Sequence, residues 1–257
     1  GLMNIQFAVK DGEVYIIEVN PRASRTVPFV SKATAQPWAK LAAKVMAGCA
    51  LEDLGAAEVA DPPYTSVKES VFPFTKFPGV DVVLGPEMRS TGEVMGIDTN
   101  FGLAFGKGQM AASTKLPTSG TIFLSVFNLD QPIAAKLATQ LVEMGFEIVA
   151  TEGTARALTE ANVPVRVLPK ISEGRPNILD LIKNGEVDLI LNTPTKRGPQ
   201  TDEGKIRAMA TLHQIPLITT ITGAEATVKA IAAFREGGPN PDDNWTVRPL
   251  QDYYANA

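Results

Sequence analysis

The chain has 257 residues, enough for one large domain or two ordinary ones; with 44% hydrophobic and 20% charged residues it is globular, not disordered or collagen-like. The 24 basic and 28 acidic residues give a net charge of −4 without a Lys/Arg block, which argues against a nucleic-acid partner. One cysteine, Cys49, and one histidine, His213, exclude an internal disulfide, a thiolate zinc cluster and a multi-histidine metal site, so any chemistry must run on carboxylates, amides, Lys, Arg and bound cations.

MNIQFAV and EVYIIEV alternate as β-strands about a Lys10-Asp11-Gly12 turn, which predicts a hairpin. Residues 30–46 have helical spacing, with Trp38, Leu41, Ala42, Val45 and Met46 on one side, and the helix is expected to end near Gly48. Between Asp61 and Gly92 five prolines forbid a continuous helix and predict short extended pieces. Residues 99–112 read as a weak helix interrupted by Gly102, Gly106 and Gly108.

Lys115–Gly120 is the expected linker. Beyond it strands at 121–127, 146–151, 164–169, 187–193 and 215–220 alternate with helices at 131–144, 154–161, 176–184, 201–213 and 223–236. Pro132 and Pro176 suit first helical turns, and Gly145 and Gly185 suit helix ends. This alternation implies an α/β fold with a five-stranded parallel sheet covered on both faces. The expected domains are 1–117 and 118–257, the last twenty residues forming a tail.

Glu18 and Asn20, two apart at a strand end, project from one face. A carboxylate beside an amide oxygen suits Mg²⁺, which keeps water and phosphate oxygens in its shell. Arg22 and Arg25 follow as phosphate forks. The bland alternative is an exposed strand end with ordinary charged residues. Gln6 joins the set only if it opposes Glu18. A two-residue Asp11-Gly12 loop would set it against Ile17, so a three-residue loop or an equivalent bulge is required.

With Gln6, the run EVNPRASRTVPFVSKAT from Glu18 to Thr34 closely resembles the end of the second ATP-grasp unit of the carbamoyl-phosphate synthetase large-chain family; LGPEMRSTGEVMG, Leu84 to Gly96, is similar to the same family farther on. Biotin carboxylases follow E-x-N-x-R with Gln-Val-Glu-His; Ser24-Arg25-Thr26-Val27-Pro28 stands here instead. The resemblance implies that Gln6, Glu18 and Asn20 hold Mg²⁺ or Mn²⁺ on ATP, with K⁺ a further cation, and that Arg22 and Arg25 contact phosphates or the carbamate-derived substrate. That unit phosphorylates carbamate to carbamoyl phosphate, in arginine and pyrimidine biosynthesis. The chain reads as a C-terminal fragment, inactive without the rest of the large chain and the small glutaminase subunit.

In an open parallel sheet, ligands sit beyond the carboxyl ends of the strands. Thr151-Glu152-Gly153-Thr154, Lys170, Asn192-Thr193 and Thr219-Thr220 all fall there, and their joint placement predicts an anion site; taken singly, each threonine reads as a helix N-cap. TEGTARAL, Thr151 to Leu158, and KISEGRPNILDLIKNGEVDLILNTP, Lys170 to Pro194, strongly resemble the family's methylglyoxal synthase-like regulatory domain. By that resemblance Thr151, Thr154, Lys170, Asn192, Thr193 and Thr220 bind a nucleotide monophosphate, UMP or IMP. Ornithine would touch Glu69, Leu84 and Thr219. Two departures matter. Asp130-Gln131 stands where relatives usually have a lysine, and Leu217 where some ornithine-responsive members have tyrosine.

A stand-alone methylglyoxal synthase, a lyase, and a pure effector-binding module are the competing readings. Glu173–Asn177 lacks the catalytic aspartate and glutamine of the lyase. Gly106-Lys107-Gly108 lacks the spacing of a phosphate loop. His213 reads as a surface or capping residue and Cys49 as a small packed side chain. No apolar run reaches the ~18 residues of a membrane span, and the first residues lack signal-peptide features, so a cytoplasmic protein with no membrane partner is expected.

Overall fold

Asp11 and Gly12 both take positive φ, 53° and 81°, the two-residue turn that matches strand twist. They join strand β1 (Asn4–Lys10) to β2 (Glu13–Asn20) in an antiparallel ribbon. These are coordinates of a computed structural model, which describes residues 1–56, 61–72, 74, 82–83, 90, 92–194, 198, 200–236 and 246–254. The chain forms two compact units, one of residues 1–66 with 247–257 and one of residues 67–246.

In the first unit the ribbon is followed by helices α1 (Thr26–Ala33) and α2 (Trp38–Met46). The single helix expected over 30–46 is therefore two helices. Thr34, the C-cap of α1, leaves the helical region at φ −107° and ψ 0°, Ala35 takes φ 53°, and Pro37, which cannot donate a backbone hydrogen bond, precedes α2. Met46, assigned to the apolar side, is 77% exposed. The expected tail contains helix α9 (Leu250–Tyr254). Tyr253 is buried and meets the Tyr64 ring edge-on at 5.2 Å, the Tyr254 ring meets Tyr64 edge-on at 6.0 Å, and the Tyr254 hydroxyl donates to the Ala33 carbonyl at 2.5 Å. The last segment is thus ordered by aromatic packing, which hydrophobic periodicity does not register.

In the second unit strands β3 (Thr65–Val71) and β4 (Gly92–Asp98) pair in a two-stranded sheet, and α3 (Phe101–Ala111) packs on β4. The glycines expected to interrupt α3 do not. The helix is continuous, and two of its glycines, Gly102 and Gly106, together with Gly96 on β4, are points of close approach. A Cβ on Gly106 would lie 2.3 Å from the Phe234 ring, one on Gly102 would lie 2.6 Å from the Lys229 carbonyl oxygen, and one on Gly96 would lie 1.9 Å from the Ala104 carbonyl oxygen. The helical cost of glycine is offset by close approach. Lys107 and Asp98, at 2.6 Å and with side chains only 9% and 16% exposed, pin α3 to β4.

Five strands then form the parallel sheet in the order β7 (Arg166–Leu168), β6 (Glu147–Thr151), β5 (Thr121–Ser125), β8 (Leu189–Asn192) and β9 (Leu217–Ile218). The intervening helices are α4 (Gln131–Glu143), α5 (Glu152–Glu160), α6 (Ile178–Lys183), α7 (Asp202–Leu212) and α8 (Ile221–Arg235). Side chains alternate between two cores, as strand geometry requires. Ile122, Leu124, Ile148, Ala150, Leu189 and Leu191 face residues of α4, α5 and α8, whereas Phe123, Val149 and Ile190 face Ile178 and Ile206 of α6 and α7. Every expected strand and helix of this sheet is present, with strands one to four residues shorter.

Pro132 lies in the first turn of α4, as expected. Pro176 does not enter α6. Asn177 is the N-cap, and its capping box with Asp180 starts the helix one residue later. Leu116 of the expected linker is buried in the larger core, so the linker is packed.

Gly106→Ala is expected to destabilise the chain by about 1–3 kcal/mol through overpacking, whereas Gly153→Ala, with open space at its Cβ, is expected to be neutral or to stabilise α5 by up to about 1 kcal/mol; urea unfolding of both reads the difference in sign. Burial pushes the Asp98 carboxyl up, but hydrogen bonds from Lys107 and the Asn100 amide outweigh it and hold the pKa below the usual value. A folded pKa lowered in this way gives stability that is present above the unfolded pKa of ~3.9 and is lost as pH falls through the folded one. Asp98→Asn is expected to flatten the acid limb of the unfolding midpoint against pH.

Candidate functional site

The ribbon pairs Asn4 with Asn20, Ile5 with Val19 and Gln6 with Glu18, then slips by one residue between Gln6 and Phe7. The turn is the two-residue one, and the bulge corrects the register. Gln6 and Glu18 are therefore direct cross-strand neighbours on one face. Asn20 Nδ2 donates to Glu18 Oε1 at 2.8 Å, which leaves the Asn20 amide oxygen and the second Glu18 oxygen for a ligand.

Glu18 and Gln6 are exposed and Asn20 is half-buried, so none is sealed in an apolar interior. One carboxylate and two amide oxygens suit a cation that keeps phosphate and water ligands. They do not make a protein cage, and among the described residues no group of three or more His, Cys, Asp or Glu is poised to hold a metal.

Arg22 and Arg25 come next. Arg22 N donates to the Asn20 carbonyl at 2.8 Å, and Ser24 Oγ accepts from Asn4 Nδ2 and Thr26 N, which folds the segment against the strand end. Arg22 Nη1 is turned to the Ala23 carbonyl at 3.2 Å, and Arg25 is the N-cap of α1. Both are exposed. The structure groups Gln6, Glu18 and Asn20; the arginines share the loop but make no bond to Glu18.

In the second unit, β5, β6 and β8 end side by side. Ser125 and Asn192 are register partners on β5 and β8, beside the point where the strand order reverses. Asn192 Nδ2 donates to the Ser125 carbonyl at 2.9 Å, and Arg207 Nη1 donates to Asn192 Oδ1 at 3.1 Å. The two amides that follow β5 are taken by side chains: Val126 N donates to Thr154 Oγ1 at 3.1 Å, and Phe127 N to Thr193 Oγ1 at 2.8 Å.

Of the four threonines in this set, Thr220 caps a helix with its side chain, accepting from Gly223 N at 3.1 Å. Thr151 is the N-cap of α5 without a side-chain cap bond and turns to Ser125 Oγ at 3.4 Å. Neither Thr154 nor Thr193 is a cap.

Asn192, Thr154 and Thr193 are buried, at 0%, 3% and 6% exposure. The expected open rim is thus a buried hydrogen-bonded floor, with Thr220 and Lys170 exposed and Thr151 half-buried above it. Lys170 pairs with Glu173 at 2.8 Å, and that hydrogen bond raises its pKa, helped by the charges of Glu173, Glu152 and Asp202. Arg207, fully buried, and Ser125 were missed by sequence reasoning. An arginine in a helix reads as surface, and nothing in its spacing marks this one.

Of the ornithine residues, Glu69 lies on β3. Burial pushes the Glu69 carboxyl up, against the opposing bonds from the Ser70 amide and the Gln109 side chain, while Thr219 follows β9. Leu84 lies outside the described residues.

Residues 134–219 match the MGS-like domain family, and residues 1–54 match the family "Carbamoyl-phosphate synthase L chain, ATP binding domain". The carbamoyl phosphate synthase large chain of Rhodopirellula baltica is 54% identical over 99% of this chain and 23% of its own length. That of Pseudomonas aeruginosa is 52% identical over 99% and 23%, and that of Archaeoglobus fulgidus 51% identical over 100% and 23%. The chain therefore spans about a quarter of the length of these relatives. A solved structure, "Crystal structure of ForH", is similar over 53% of this chain and 88% of its own at 19% identity and a TM-score of 0.35, too distant to bear on the argument. No described helix is long and apolar enough to cross a membrane.

Thr154→Val keeps the shape but leaves the buried Val126 N–H without its acceptor, and is expected to cost about 1–3 kcal/mol. Thr151→Val, whose hydroxyl bond is long, is expected to cost less than about 1 kcal/mol. Thermal and urea unfolding of the two variants checks the order.

Proposed function

We propose, for a chain that belongs to the carbamoyl phosphate synthase large-chain family, two roles within a longer ligase: holding the metal of ATP for carbamate phosphorylation, and sensing an anionic effector. Phosphoryl transfer is catalysed mainly by positioning and charge neutralisation. Gln6, Glu18 and Asn20 supply oxygens to Mg²⁺ or Mn²⁺, with K⁺ a further cation. Arg22 and Arg25 reorient toward ATP phosphates or the carbamate-derived substrate. The register that sets Gln6 opposite Glu18 is the observation that carries this reading.

The ribbon supports a larger assembly. Phe7, Val9, Val14, Tyr15, Ile16, Ile17 and Val19 are 45–70% exposed, and a bare two-stranded ribbon is marginal in water. The cover we assign is the remainder of the large chain, with the small glutaminase subunit delivering ammonia in the cytoplasm to a pathway feeding arginine and pyrimidines. Residues 1–117 belong to the ATP-grasp lobe and 118–257 to the regulatory lobe by descent.

For the effector role the hydrogen-bond polarity is decisive. The hydroxyl oxygens of Thr154, Thr193 and Thr220 each already accept a backbone N–H, so each retains its proton to donate. With the Lys170 ammonium and the opening amides of α5, these groups favour an acceptor-rich ligand such as the phosphate of UMP or IMP. Ornithine at Glu69, Leu84 and Thr219 is a second proposed effector, though Leu217 weakens it. A lyase finds less support, because Glu173 is paired with Lys170 and Asn177 is buried in its capping box.

A chimera of the Rhodopirellula baltica large chain carrying these 257 residues in place of its own is expected to make carbamoyl phosphate from ammonia, bicarbonate and MgATP. Glu18→Gln in it is expected to lower the rate by at least about 100-fold; an unchanged rate overturns the metal role. Calorimetric titration of the 257-residue chain with UMP and IMP is expected to show binding, weakened about 5- to 100-fold by Lys170→Ala; absence of binding to both overturns the effector role.

A further inference from the structure

We infer that Arg207, a buried residue of α7, is the positioning residue that sets the hydrogen-bond polarity of the anion site. The inference rests on the effector reading just given. A guanidinium has N–H donors and no acceptor. The amide of Asn192 must therefore present Oδ1 to it, as observed at 3.1 Å.

Nδ2 is then directed to the other side, where Ser125 offers a carbonyl, a group that only accepts, at 2.9 Å. Fixing the Ser125 peptide fixes the two amides that follow. Val126 N and Phe127 N enter the oxygens of Thr154 and Thr193, and both hydroxyl protons are left to donate. One donor-only side chain at the base thus makes the layer above it donor-rich.

Arg207 also brings a positive charge under the ends of β5 and β8 that water does not screen, since it is 0% exposed. A glutamine in place of Arg207 could both accept and donate, which would release Asn192 to turn over. A lysine would keep the charge and the donor-only character.

The test compares Arg207→Lys with Arg207→Gln in the full chain, using UMP, IMP and inorganic phosphate as calorimetric probes and thermal unfolding as the control. Both variants lose packing and are expected to melt lower. Arg207→Lys is expected to bind within ~3-fold of the parent, and Arg207→Gln ~10-fold or more weakly, the loss of one charge-assisted bond. A purely structural arginine would make the two equal, so equal losses, or parental affinity in the glutamine variant, overturn the inference.

The side-chain amide signals of Asn192 give a reading that does not depend on ligand. One proton is expected to exchange slowly in the parent and fast in Arg207→Gln; identical exchange in the two overturns the inference. Should Arg207→Gln not fold, the parent decides, since two fast-exchanging Asn192 protons there also overturn it. Failure of all three probes to bind the parent refutes the effector reading, while the amide exchange still decides the part played by Arg207.

Discussion

The hydrogen bond from Asn192 to the Ser125 carbonyl is the constraint on which the second unit's site depends. It joins the ends of the two strands flanking the point where the sheet reverses its order, where parallel sheets place their ligands because the chain leaves in opposite directions. The backbone there must stop pairing with its neighbours, and its amides need other partners. This chain supplies them from Thr154 on α5 and Thr193 after β8. The same residues that end the sheet give its edge a donor character, so stability and the proposed recognition draw on one set of bonds.

The alternation of strands and helices was legible because parallel strands buried on both faces give short apolar runs, and each helix between them carries its own start signal. Two things were not. The glycines of α3 read as breaks because propensity counts only what glycine costs a helix, whereas the close approaches of Gly102 and Gly106 to Lys229 and Phe234 are long-range facts. Tyr253 and Tyr254 read as a tail because their partners, Tyr64 and Ala33, lie far back in the chain.

At the candidate sites the identity of the groups was legible and their burial was not. Glu18 and Asn20 fall on one face by strand period, and the requirement of a bulge for Gln6 follows from counting residues across the turn; the bulge lies between Gln6 and Phe7. Asn192, Thr154 and Thr193 were expected at an open rim, yet they are floor. Spacing tells which end of a strand a residue occupies but not how much of the neighbouring loops closes over it.

That difference bears on how a site tolerates change. On the effector role proposed above, Lys170 and Thr220, both exposed, are the residues to tune affinity, since a surface ammonium already paired with Glu173 is replaced at little structural cost. Arg207, Asn192, Thr154 and Thr193 cannot vary singly, because each is a buried partner whose loss strands another polar group. On that proposed role, strength of binding resides in exposed side chains, and the class of ligand, an acceptor-rich anion, in the buried bonds that end the sheet.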